Sequence, residues 1–82
     1  MKLISYSTWR KHNTGYPLCD GYKFCGALPT KNSYPKDIAT LIIHSLFSKE
    51  EEDVYEFIYW PHTYKNKKCV EKCVEVWCRK IK

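Results

Sequence analysis

The strongest structural signal in the sequence is a run of β-branched and aromatic residues, Val54–Trp60. Apart from Glu56, both alternating faces of this run are apolar, which is typical of a strand that is covered on both sides. The sequence therefore predicts that the segment is a central strand of a sheet. Pro61, which cannot donate to a ladder, is expected to end the strand.

Three further elements are predicted before this strand. Residues Lys2–Trp9 and Gly21–Leu28 have the composition and alternation of two short strands, which could pair as a hairpin. Pro35 opens the clearest helix, because a proline at the first helical position leaves no N–H unpaired, and the apolar stripe continues to about Lys49. The acidic run Glu50–Asp53 then reads as a turn.

The C-terminal segment, Lys67–Ile81, has apolar residues within a narrow arc at about 100° per residue, which favours a helix over the alternative of a strand. The predicted order is then β-β-α-β-α. We expect an α+β fold in which a short antiparallel sheet carries two helices on one face, with zinc as an expected staple.

The length of 82 residues limits the chain to a single domain, 1–82, with a small core. The sequence has no phosphate-binding glycine loop, paired-carboxylate motif or nucleophile motif, so we expect neither an enzyme nor a small-molecule substrate. It also shows no apolar signal segment and no run long enough to cross a membrane, which predicts a cytoplasmic protein with no membrane partner.

Five cysteines are present, and four of them form two local pairs. Cys19 and Cys25 flank a glycine, while Cys69 and Cys73 would lie about 6 Å apart on one face of the predicted helix. Four thiolates can hold zinc tetrahedrally, so we expect a structural zinc site at Cys19, Cys25, Cys69 and Cys73, with Cys78 left over. The alternatives are free buried thiols, or a disulfide, which a reducing compartment disfavours.

The charge lies in three blocks: residues 1–36 carry +5, residues 37–56 carry −5 and residues 57–82 carry +5. The acidic centre and the dense aromatics favour contact with a basic protein surface. The predicted contacts are Glu50, Glu51, Glu52, Asp53, Tyr55 and Tyr59. The alternative is a zinc-stabilised nucleic-acid-binding module that uses Lys65, Lys67, Lys68, Lys72 and Arg79 on its C-terminal face.

The two cysteine pairs and the Glu50–Asp53 run, in a short chain rich in Lys, Ile, Tyr and Asn, resemble small proteins encoded by phages and prophages. Within that group the chain is similar to the anti-CRISPR proteins. The resemblance implies a protein that acts in the cytoplasm of the host cell and binds a CRISPR effector such as Cas9. It also implies that binding blocks guide loading, target DNA loading or cleavage.

Overall fold

The computed structural model describes residues 1–13, 21–30, 32–65 and 70–81. These residues form a four-stranded mixed sheet with helices on both of its faces. In chain order the elements are β1 (Lys2–Ser5), α1 (Tyr6–His12), β2 (Lys23–Pro29), α2 (Pro35–Leu46), α3 (Lys49–Val54), β3 (Tyr55–Lys65) and β4 (Val70–Lys80). The strands lie in the order β1-β3-β4-β2.

β3 is an interior strand, which confirms the prediction made from its two apolar faces. It pairs in parallel with β1, where Ile4 lies opposite Ile58, and antiparallel with β4, where Ile58 lies opposite Trp77. The strand does not end at Pro61 as expected. β1 pairs with β3 only as far as Tyr59. Pro61 therefore lies beyond the end of β1, and on that side of β3 its missing N–H interrupts no ladder.

The predicted C-terminal helix is wrong, because residues Val70–Lys80 form β4. β4 pairs with β3 on one side and with β2 on the other, so its backbone is satisfied by long-range ladders that a local helical stripe does not reveal. The predicted β1–β2 hairpin is also absent, since β2 pairs with β4. The observed order of the described elements is therefore β-α-β-α-α-β-β.

The two faces of the sheet hold separate cores. Seven buried residues form the core beneath α2: Ala39, Ile42, Ile43, Phe57, Val74, Val76 and Cys78. The opposite core has Trp9 of α1 packed with Tyr22 and Ile58. The helices thus cover both faces, whereas the sequence predicted two helices on one face.

Side-chain caps mark the starts of two of the helices, α1 and α3. Ser5 caps α1, where its hydroxyl accepts a hydrogen bond from the Thr8 N–H at 3.3 Å. The Ser48–Glu51 capping box starts α3, which replaces the predicted acidic turn. No helix in the described part of the chain is long and apolar enough to cross a bilayer.

We predict that Phe57→Ala lowers the free energy of unfolding by about 3–5 kcal/mol, because it empties a fully buried site between β3 and α2. Phe24→Ala is the matched control, since Phe24 is 53% exposed and should cost only about 1 kcal/mol. Urea denaturation followed by tryptophan fluorescence measures both. Equal losses would contradict the placement of Phe57 in the core.

Candidate partner-binding surface and cysteine positions

α3 presents three carboxylates to solvent. Glu50 and Glu51 lie in its first turn, where negative charge is favoured by the unpaired N–H groups of a helix start. The Glu51 carboxylate accepts a hydrogen bond from the Ser48 N–H at 2.9 Å, which fixes the helix entry. Asp53 is 74% exposed and lies 4.0 Å from the amino group of Met1. We call Glu50, Glu51 and Asp53 the acidic surface.

Glu52 was predicted as a partner contact together with its neighbours, but it does not belong to that surface. It is 6% exposed, and its carboxylate lies 3.1 Å from Nδ1 of His44 on α2. Because successive residues of a helix point in different directions, the helix turns Glu52 inward while its neighbours face solvent. The contact ties α3 to α2 and gives Glu52 a structural position.

The two predicted tyrosine contacts lie at different distances from α3. Both are half-buried on the α2 face of β3, against the core that contains Phe57. Tyr55 immediately follows α3, and its ring lies 5.3 Å from the Phe47 ring. Tyr59 lies four residues further, about 13 Å along the strand. Tyr55 therefore borders the acidic surface and Tyr59 does not.

The predicted zinc ligands are not brought together by the described structure. Cys25 packs against the core beneath α2, whereas Cys73 lies on the opposite face of β4 from Val74 and Cys78 because side chains alternate along a strand. Cys19 and Cys69 lie outside the described residues. In the ranges described, no group of three or more His, Cys, Asp or Glu side chains could hold a metal ion. Structural zinc stays a prediction.

Cys78, which the sequence analysis left over, is the residue that lies beside Cys25. The Cys25 thiol donates to the carbonyl oxygen of Lys23 at 3.6 Å, and Lys23 lies directly opposite Cys78. Burial raises the pKa of the Cys25 thiol to about 12, and the neighbouring Cys78 thiol adds to the rise. Cys25 is therefore a protonated, unreactive thiol near neutral pH.

The residues predicted to form one basic face are divided between both faces of the sheet. Lys65 and Lys72 lie on the α2 face of the β3–β4 hairpin, while Arg79 lies on the other face near the far end of β4. Arg79 forms an ion pair with Glu56, and its guanidinium lies 4.8 Å from the centre of the Tyr22 ring. Lys67 and Lys68 fall outside the described residues. The described members of the set therefore do not share one face.

A buried carboxylate on the α1 face was not predicted from the sequence. Glu75 is 7% exposed, and its Oε1 accepts hydrogen bonds from the indole N–H groups of Trp60 at 2.9 Å and Trp77 at 3.2 Å. Alternation of polar and apolar residues along 70–80 could have indicated which residues share this face, but only once the segment was recognised as a strand. Glu75 therefore orients two of the three tryptophans.

Comparison of the chain with protein-family models, with curated proteins and with solved structures found no match.

We predict that iodoacetamide alkylates Cys25 at least about a hundredfold more slowly near pH 7.5 than it alkylates an unperturbed cysteine, because the thiolate is scarce. The rate should rise about tenfold per pH unit towards about pH 11. Mass spectrometry of the tryptic peptide Phe24–Lys31 reports Cys25 alone, since this peptide holds no other cysteine. The same protein unfolded in urea is the control, and equal rates in both states would contradict the raised pKa.

Proposed function

We propose that the chain is a small non-enzymatic binding protein that inhibits a larger nucleic-acid-processing effector by protein–protein contact. The observation that carries the proposal is the anchoring of α3. Its Glu52 is buried against His44, so Glu50, Glu51 and Asp53 are held outward on a short helix with a fixed entry. A fixed display of negative charge loses less conformational entropy on binding than mobile side chains do.

Effectors that handle nucleic acids bind the phosphate backbone through Lys and Arg side chains. A cluster of carboxylates is complementary to such a surface, accelerates association and competes with the nucleic acid for it. Tyr55, at the border of the acidic surface, adds an amphipathic ring of the kind that anchors interfaces. The proposed action is anti-CRISPR-like, in the cytoplasm of a phage's or prophage's host: the acidic surface blocks guide or target DNA loading in an effector such as Cas9.

The absence of catalysis is part of the same proposal. His62 and Cys73 lie directly opposite each other on β3 and β4, which is a pairing of possible base and nucleophile. However, Cys73 is buried, and burial together with Glu71 and Glu75 on the same face of the strand raises the pKa of its thiol. A buried, protonated thiol is a poor nucleophile, which supports a binding role.

The test is binding to purified Cas9-type effectors, measured by surface plasmon resonance, with inhibition of DNA cleavage as the second readout. We predict that Glu50→Lys combined with Asp53→Lys weakens binding by about tenfold or more, because each change replaces an attraction by a repulsion. Glu51 stays unchanged in this variant, so the capping box is kept.

Asp37→Lys is the matched control, because Asp37 is an exposed acid on α2 outside the acidic surface. Unchanged affinity of the double variant would show that the interface lies elsewhere. If the protein binds no effector but binds DNA or RNA with an affinity that falls steeply between about 50 and 200 mM salt, the nucleic-acid-binding module replaces the proposal.

A further inference from the structure

The edge of the sheet formed by β2 carries an apolar surface that nothing in the described structure covers. Leu41 and Leu46 of α2 are 55% and 54% exposed, and Leu28 of β2 is 38% exposed. Between the strand and the helix lies a groove of about 280 Å³. Its lining residues are Cys25, Gly26, Ala27, Leu28, Ile42, Ser45 and Leu46, and we call it the β2–α2 groove.

The backbone at this edge is available for pairing. The Thr30 N–H donates to the Lys72 carbonyl at 2.9 Å, and in an antiparallel ladder hydrogen-bonded pairs alternate with non-bonded pairs. Leu28 and Gly26 are therefore the next residues bonded to β4, and the N–H and C=O of Ala27 point away from the sheet. Pro29, which has no N–H, occupies the next outward-facing position.

We propose that two copies of this chain pair through their β2 edges in an antiparallel manner, about a two-fold axis at Ala27. In that register Ala27 of each copy lies opposite Ala27 of the other, and Leu28 lies opposite Gly26. Gly26 has no side chain, so the Leu28 side chain of the other copy enters the groove at this point. It would contact Ile42 and Leu46, the two side chains that approach Gly26 most closely.

The chemistry of the edge favours a second copy over an unrelated strand. Residues Gly26–Leu28 carry no charge, so no like charges lie opposite each other within the paired segment Gly26–Leu28. The bulge at Cys25 and the proline at Pro29 shorten the ladder, so an isolated peptide strand would gain few backbone hydrogen bonds.

A second copy also brings its own α2. Because both copies carry α2 on the same face of the joined sheet, the two helices run side by side above the β2 strands. The two β4 strands would lie about 14 Å apart, at about 4.8 Å per strand. α2 packs on β4 and on both neighbours of β4, which are β2 and β3, so its axis runs above β4. Leu41 and Leu46 of both copies would then fill the space between the helices.

The first test is sedimentation equilibrium over a range from micromolar to near-millimolar concentration. The unchanged protein should approach twice the monomer mass. Leu28→Lys should remain monomeric, because the buried charge should raise the dissociation constant of the dimer at least about a hundredfold. Ile4→Lys is the matched control, because Ile4 is 41% exposed on β1, at the opposite edge of the sheet, and should still dimerise.

Circular dichroism checks that each variant is folded. If Leu28→Lys fails to fold, Leu41→Lys replaces it, since Leu41 is exposed on a helix surface. A monomeric unchanged protein at the highest concentration would overturn the proposal. Dissociation of the Ile4→Lys variant to the same extent as Leu28→Lys would also overturn it.

The second test reads the register directly by amide hydrogen exchange. The Ala27 N–H should become protected about tenfold or more as concentration rises through the dimerisation range, because only the dimer gives it a partner. The Gly26 and Leu28 N–H groups, which are bonded to β4, should be protected at every concentration. Dimerisation without protection of Ala27 would overturn the pairing of β2 edges.

Discussion

The fold depends on one constraint, which is that β3 must be covered on both of its faces. Phe57 and Ile58 are consecutive residues, both are buried, and they point to opposite sides of the sheet. Neither side can be left to solvent without exposing a large apolar side chain. α2 closes the side of Phe57 and α1, through Trp9, closes the side of Ile58. A chain of 82 residues therefore divides its small core into two thin layers.

That division explains which parts of the fold the sequence could predict. The sequence predicts β3 because consecutive residues of this strand are apolar, which indicates burial on both faces. It predicts α2 because the apolar stripe and Pro35 are local signals. The sequence predicts a helix for β4 because Val70, Val74 and Trp77 fit a helical stripe. The strand is instead fixed by its pairing with the preceding β3 and the distant β2. α3 could have been found, since Ser48 and Glu51 have capping-box spacing.

The candidate site shows the same limit of local reasoning. The acidic run at 50–53 is visible in the sequence. However, the direction of each side chain follows from the helix, which turns three carboxylates to solvent and Glu52 towards His44. Similarly, spacing paired Cys25 with the nearby Cys19, whereas the ladder between β2 and β4 places Cys25 beside Cys78, which is distant in sequence. Side chains that are far apart in sequence meet through strand register, which the spacing of cysteines does not encode.

The two proposed surfaces are compatible because they lie at opposite ends of the strand order. α3 packs on β3, and Asp53 approaches the amino group of Met1 next to β1, whereas the proposed pairing uses β2. A two-fold dimer would therefore join the β2 edges and leave both acidic surfaces outside, one at each end of a continuous eight-stranded sheet. Two separated copies of the same acidic surface can engage two sites on one large effector, or two effectors. In the first case, binding of one copy would raise the effective concentration of the other, and the proposed inhibition would be strengthened without any new contact.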